Sequence, residues 1–335
     1  MLLIYAGSYS EDFVKLLANK SLNYRKIGEV FLIDGSEEDI MDVLYDAEEH
    51  LLKEIKLTSA KPEELRDPKL LLNLGFRSIS FKDFVETKVF TDLSKILGEA
   101  QTFFHAIVST KTKKVFGFEA LCRTKIPVWK LFQMSDRVAF ISDHYCRERA
   151  LLEFKARFFG NYKLFLNFHP KFLKDPLENV GELEATLHIK EIDPNLIVVE
   201  IDEYEGLDIK ALKMIRSFLK SAGIGVALDD VGAGYAGLYQ LVEINPDIAK
   251  LDMNLVRDVH KDRLKQSIVK ALVQACKEAD IKVLAEGVEK REELDFFLEL
   301  GVDFIQGFIF SKPEPYPKIR QIEELAYNSI SSLLK

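Results

Sequence analysis

The chain has 335 residues, 47% hydrophobic and 30% charged, an ordinary globular composition that excludes a disordered, collagenous or fibrous protein. Lysine and arginine number 46 against 54 aspartate and glutamate, a formal net charge of −8. That balance argues against broad binding to a DNA or RNA polymer or to an anionic membrane surface. No apolar run reaches the ~18 residues of a membrane span. The opening MLLIYAGSY lacks the basic n-region of a signal peptide. Three scattered cysteines, Cys122, Cys146 and Cys276, predict a reducing, cytoplasmic setting and no disulfide framework.

In chain order, Leu2 to Ala6 and Val30 to Ile33 read as strands. A helix between them opens at Ser10 and runs to about Lys20. Ser36 opens a second helix, with Asp39 as a weak capping box. Ile40, Val43, Leu44, Ala47, Leu51, Leu52 and Ile55 follow at helical spacing, which fits a face packed on its own sheet better than a signalling helix. Lys61-Pro62 and Asp67-Pro68 mark loops. Residues 1–95 are thus predicted to form a smaller α/β domain, and no set of residues in them suggests chemistry.

From about residue 100 the pattern changes. Short apolar runs recur, each ending in a polar residue. Val115 to Phe118 leads into Glu119, Leu164 to Leu166 into Asn167, Leu196 to Val199 into Glu200, and Gly225 to Leu228 into Asp229-Asp230. Ile248-Ala249 leads into Lys250, Val283 to Ala285 into Glu286, and Phe304-Ile305 into Gln306. Amphipathic stripes such as Leu212, Ile215, Phe218 and Leu219 fill most of the gaps. Strand–helix repetition predicts parallel strands joined by crossover helices. Seven or eight such units predict a closed (β/α)8 barrel over residues 96–335, with its chemistry at the strand C-termini.

If the barrel closes, Glu119, Asn167, Glu200, Asp229, Asp230 and Glu286 converge on one mouth. Carboxylates that close repel unless cations neutralise them. An all-oxygen donor set selects hard ions such as Mg²⁺ or Mn²⁺. The carboxylate count exceeds one octahedral ion's need, so two ions are expected, a geometry suited to in-line displacement at phosphorus. Lys250 would supply positive charge or orient the attacking water.

The motifs in order resemble the EAL-domain cyclic di-GMP phosphodiesterases. FGFEALCR carries the EAL signature at Glu119, FLNFHP the asparagine motif, and EIDE the E-x-T-E motif with Glu200 and Glu203. LDDVGAGYAGL resembles the DDFGTGYSSL loop, IAKLD the K-I-D motif, LAEGVEKREE the AEGVET motif, and GVDFIQGFIFSKP the QGY-to-proline ending. The resemblance implies a barrel of EAL type that hydrolyses cyclic di-GMP to linear pGpG with two Mg²⁺ or Mn²⁺ ions, as a homodimer. It implies metal ligation by Glu119, Asn167, Glu200, Asp229, Asp230 and Glu286, and water positioning by Lys250 and Gln306. Glu203 would brace the loop after Asp230, which couples dimerisation to metal binding. Arg123 shares strand parity with Glu119 and would reach a ligand phosphate. Residues 1–95 would then be regulatory or sensory.

The chain departs from the family pattern in places. His105-Ala106 stands where the first strand usually carries a QPI-type motif, so His105 replaces a glutamine contact to the nucleotide or that contact is lost. Thr124 replaces a common tryptophan, the segment after it is short, and VGAGYAG loses hydroxyls. Every mapped metal position nevertheless carries the expected residue type, which favours an enzyme over a cyclic di-GMP receptor signalling through residues 1–95. Gly232 to Gly237 fits G-x-G-x-x-G, but Asp229-Asp230 directly before it would repel a pyrophosphate. His169 reads as a loop histidine. Cys122, Trp129 and Phe168 read as packing residues, and Asp252 and Asp303 as second partners of the site or as caps.

Overall fold

The computed structural model describes residues 2–5, 10–19, 22–27, 30–33, 56–59, 79–158, 162–168, 176–201, 209–232 and 237–331. The chain divides into two compact units: Met1–Glu99 with Thr124–Ser142, and Ala100–Arg123 with Asp143–Lys335.

In the first unit, β1 (Leu2–Tyr5), β2 (Tyr24–Ile27), β3 (Val30–Ile33), β4 (Lys56–Ser59) and β5 (Ile79–Ser80) form one sheet in the order β2-β3-β1-β4-β5. Its neighbours all pair antiparallel. Helix α1 (Ser10–Asn19) begins at the expected serine. Ile4, Phe13, Leu17, Phe31 and Ile33 are buried, and the Phe13 ring meets Phe31 edge-on at 5.2 Å. The expected helix after Ser36 lies outside the described residues. Helices α2 (Phe81–Gly98) and α3 (Val128–Met134) complete the described helices lying wholly in this unit. Trp129 is 58% exposed, which corrects its expected place in the core. The short helix α3 buries only Leu131, so its tryptophan remains outside.

The second unit is a closed barrel of eight strands in chain order. They are β6 (Gln101–Ser109), β7 (Val115–Arg123), β8 (Lys163–Phe168), β9 (Ile197–Ile201), β10 (Gly225–Val231), β11 (Ile248–Leu251), β12 (Lys282–Ala285) and β13 (Phe304–Gln306). Around them lie α4 (Asp136–Arg157), which begins in the first unit, then α5 (Pro176–Ile189), α6 (Ile209–Ser221), α7 (Gly237–Ile244), α8 (Met253–Val256), α9 (Arg263–Glu278), α10 (Arg291–Leu300) and α11 (Ile319–Ser331). The all-parallel expectation needs one correction. β6 runs antiparallel to both β7 and β13. Residues 110–114 join β6 to β7 as a short hairpin, and a parallel connection would need a crossover of a dozen residues or more.

Alternate residues of each strand face opposite sides. Outward residues such as Phe118, Leu164, Leu166, Val199, Val226, Leu228 and Val283 pack beneath the helices in one large cluster. Inward, Ile107, Phe165, Val198, Ala227, Ile248, Leu284 and Phe304 form a separate apolar layer that fills the barrel. That layer is the floor of the site described next.

The cysteines correct a second expectation. Cys122, near the end of β7, forms a disulfide with Cys146 on α4, the Cα atoms 5.7 Å apart. Strand parity does turn Cys122 away from Glu119, but onto a helix that carries a second thiol. A separation of 24 residues with no C-x-x-C spacing gives no sign of this pairing in the sequence.

Candidate active site

Moving two residues along a strand keeps the same face and rises one layer. From the inward apolar layer, Phe165 leads to Asn167, Val198 to Glu200, Ala227 to Asp229, Ile248 to Lys250, Leu284 to Glu286 and Phe304 to Gln306. On antiparallel β6 the same step runs backwards, from Ile107 to His105. Pairing sets His105 opposite Glu119 and Asn167 opposite Glu200. Each of the eight strands therefore contributes one polar residue to a single ring above an apolar floor. Glu119 lies within β7, which runs on to Arg123.

Lys250 is the hub of the ring. It is 1% exposed, and its Nζ lies 2.5 Å from Glu200 Oε1, 2.7 Å from Glu286 Oε1 and 2.8 Å from Asp229 Oδ2. Burial opposes the ammonium charge, but Asp229, Glu200, Glu286 and Glu119 overcome it and hold the lysine well above its usual range. Burial likewise pushes the Glu200 and Glu286 carboxyls well above theirs. The Lys250 charge opposes that shift, and the neighbouring carboxylates reinforce it.

Glu119 behaves differently. Burial would raise its carboxyl, but Lys250, His105 and two amide donors hold it below the usual value. Gln306 Nε2 donates to Oε2 at 2.9 Å and Asn167 Nδ2 to Oε1 at 3.4 Å. Glu119 is thus the carboxylate held ionised by design of its neighbours. His105 is buried beside it, which lowers its imidazole below the usual range. Its Nε2 lies 3.1 Å from the Ser311 carbonyl; a carbonyl only accepts, so Nε2 carries the proton. The ring also lies against Phe308, centroids 6.0 Å apart.

Asp229 and Asp230 separate at the end of β10. Asp230 adopts positive φ, 54°, uncommon for a residue with a side chain, and its N–H donates to Asp229 Oδ1 at 2.8 Å. This turn keeps Asp229 in the ring and leaves Asp230 exposed at its edge. Partial burial, Asp229 and Asp252 push the Asp230 carboxyl up to about 6. Asp252 therefore belongs beside the site, and it also caps α8 by accepting from the Asn254 N–H at 2.9 Å.

Other expected residues lie elsewhere. Arg123 is exposed at the end of β7, its guanidinium 5.9 Å from the Phe103 ring centroid. Asp303 accepts from the Val283 N–H at 2.9 Å, ahead of β13 and away from the ring, so it is a cap. Phe168 is buried under the Arg147 guanidinium at 3.9 Å and is a packing residue. Glu203, His169 and the centre of the glycine-rich loop lie outside the described residues. A second carboxylate group, Asp258 and Glu293 with His260, is already engaged. Glu293 accepts three backbone N–H groups, and Asp258 holds Lys261 and Lys290.

The ring fits hard cations. Ligand atoms of Glu200, Asp229 and Glu286 lie within 4.8 Å of one another. Glu200 Oε2 is buried and has no hydrogen-bond partner among the described residues. One ammonium faces Glu119, Glu200, Asp229 and Glu286, an excess of negative charge that a buried site sheds by binding cations or, without them, by holding protons on the raised Glu200 and Glu286. Oxygen donors with a lysine and no thiolate suit Mg²⁺ or Mn²⁺ rather than zinc.

A family model described as EAL domain matches residues 92–313. The Escherichia coli (strain K12) blue light- and temperature-regulated antirepressor BluF is 30% identical over 214 residues, covering 62% of this chain and 53% of BluF. Cyclic di-GMP phosphodiesterase PdeR of the same organism is 43% identical over 108 residues, covering 32% of this chain and 16% of PdeR. The chain thus spans about half of BluF and a smaller part of PdeR. A standalone EAL protein from Vibrio cholerae O395, solved in its c-di-GMP bound form, is 30% identical with a TM-score of 0.59, covering 64% of this chain and 92% of that one. Klebsiella pneumoniae BlrP1, solved as a manganese/cy-diGMP complex, matches in fold at a TM-score of 0.60 and 23% identity over 94% of this chain and 97% of its own. With two thirds of its length matched by the family model and all eight strands arranged around the motif residues, the chain belongs to the EAL domain family.

Proposed function

We propose that residues 96–335 hydrolyse cyclic di-GMP to linear pGpG, water adding at one phosphorus as one P–O bond to the ribose breaks. The observation that carries this reading is the ring itself. Eight inward side chains, one per strand, set four carboxylates and two amides around a buried lysine. The relatives named cyclic di-GMP phosphodiesterases and the c-di-GMP complexes of similar folds support it.

Glu119, Asn167, Glu200, Asp229, Asp230 and Glu286 would hold two divalent cations, which neutralise the phosphate and lower the pKa of bound water. Lys250 stays an ammonium near neutral pH, so it stabilises charge developing on the phosphoryl oxygens and orients water, and it is not the base. Gln306 fixes the orientation of Glu119. His105 and exposed Arg123 would meet the nucleotide, and Glu203 would brace the loop after Asp230 in a homodimer.

Incubation with cyclic di-GMP and Mn²⁺ or Mg²⁺, followed by ion-exchange chromatography, tests this reading. We expect pGpG from the wild type and none from Glu119→Ala. A second reading, a receptor that binds cyclic di-GMP without cleaving it and signals through residues 1–95, is favoured by His105 being engaged with Ser311 and by the likeness to an antirepressor. Binding by calorimetry without product would establish it.

A further inference from the structure

We propose that Cys122 and Cys146 form a redox-exchangeable disulfide, opened by small-molecule thiols, whose state sets the order of the strand end that carries Arg123.

The bond stands at a neck in the chain. The barrel unit ends one stretch at Arg123 and resumes at Asp143, and residues 124–142 between them belong to the first unit. Cys122 lies just before this departure and Cys146 just after the return, so the disulfide closes the excursion at its base. The strand it holds is weakly secured there. β7 pairs with β8 only as far as Ala120 opposite Leu166. Beyond that, among the described residues Leu121, Cys122 and Arg123 pair on one side, with Phe103, Thr102 and Gln101 of β6. A strand end with a one-sided ladder opens readily, and the bond to α4 is its second anchor. Three residues back on the same strand is Glu119 in the ring, and one residue on is Arg123.

Both cysteines are half-buried, so a small thiol can reach them. Cys276 is the internal contrast. It is 1% exposed, and burial pushes its thiol up to about 11, which keeps it out of exchange near neutral pH.

The chemistry is thiol–disulfide exchange. A thiolate attacks the sulfur of one cysteine, forming a mixed disulfide and breaking the Cys122–Cys146 bond, and the other cysteine leaves as a thiolate. A second thiolate then attacks the mixed disulfide, forming the small-molecule disulfide and releasing the second cysteine. Two electrons pass from two thiols to the protein, and each cysteine thiolate takes a proton from water.

The test uses the full chain equilibrated over graded ratios of reduced to oxidised glutathione, then alkylated and mapped by mass spectrometry. We expect Cys122 and Cys146 to label together in a two-electron transition while Cys276 stays unlabelled in the folded protein. Hydrogen exchange of the amides from Glu119 to Arg123 should quicken about tenfold on reduction, and equally in a Cys122→Ser, Cys146→Ser double variant whose thermal unfolding is checked. A bond that stays closed in fully reduced glutathione, thiols that stay free in fully oxidised glutathione, or exchange unchanged by reduction would each overturn the proposal. The effect on cyclic di-GMP, a severalfold loss of affinity on reduction, rests on the proposed function. Absence of nucleotide binding in both states, with labelling and exchange as expected, would sink that function and leave the disulfide proposal standing.

Discussion

Lys250→Met removes the ammonium but leaves a side chain of similar length in a fully buried position. Three carboxylates within 2.5–2.8 Å then lose their counter-charge. Breaking a buried ion pair from one side costs about 3–5 kcal/mol, a large share of the roughly 5–15 kcal/mol that holds a domain together. The pH dependence follows from the direction of each shift. Lys250 is raised above its unfolded value, so its stabilisation is fully present below that value and is lost only at strongly alkaline pH. The ammonium itself does not titrate between about pH 5 and 8, so any pH dependence of its contribution there comes from the carboxylates it neutralises. Glu200 and Glu286 are also raised. They bind protons more tightly folded than unfolded, so stability falls as pH rises from their unfolded values toward their folded ones. Without Lys250 that fall steepens. Urea unfolding of the metal-free protein should show a small deficit for the variant near about pH 5 and one approaching ~3–5 kcal/mol near about pH 8. Adding Mn²⁺ at about a hundred times its dissociation constant should return roughly 2.7 kcal/mol. A deficit under about 1 kcal/mol, or one independent of pH, would refute the view that the lysine neutralises the ring.

Other expectations are as direct. Glu119→Gln removes the charge and leaves one side-chain oxygen for the two amide donors of Gln306 and Asn167; turnover should fall by about 10²-fold or more in protein whose thermal unfolding shows it folded, and retained turnover shows that Glu119 is not a ligand. Asp230, raised to about 6, is protonated below that pH, so Mn²⁺ affinity measured by calorimetry should weaken as pH falls through 6 in the wild type, and Asp230→Asn should weaken less through that pH, keeping only the dependence that comes from Glu200 and Glu286. The same substitution should raise metal-free stability above pH 6, because a raised carboxyl destabilises the fold once it ionises. Gly307→Ala should destabilise by at least about 1–3 kcal/mol in urea unfolding, because a Cβ there would collide with the Val288 backbone. Glu203→Ala should weaken metal dependence and dimer formation together, read by activity against Mn²⁺ and by sedimentation; both unchanged would remove its bracing role.

The barrel was legible in the sequence because its signal is repetitive. Parallel strands buried on both faces read as short apolar runs, and each run here ends at a polar residue of the ring. What was not legible is one strand's direction. QTFFHAIVS is apolar on both faces, and its burial is the same whichever way it runs. The reversal shows only in the connection that follows, where residues 110–114 are too few for a parallel crossover; the composition of the strand itself is silent on it. Trp129 and the cysteine pair escaped for another reason. Both depend on what lies across from them in space, and periodicity reports only which side of an element a residue is on.

The site was more legible than the fold around it, and the geometry explains why. A ring residue is constrained twice: it sits two positions beyond an apolar residue of the inner layer, and its chemistry is polar where the column below it is not. Ala227 to Asp229 and Ile248 to Lys250 show both marks within three residues of sequence. Asp230 and Asp252 show neither, since Asp230 has the opposite parity to Asp229 and Asp252 falls just past the end of β11, and nothing local separates them from ordinary polar strand ends. Asp230 is set by a positive φ of 54° and Asp252 by its place as the cap of α8. Their pairing at the ring's edge arises from β10 and β11 lying side by side, with Val231 opposite Leu251. Residues whose role comes from the strand's own period can be read one strand at a time; residues whose role comes from a neighbouring strand require the closed barrel.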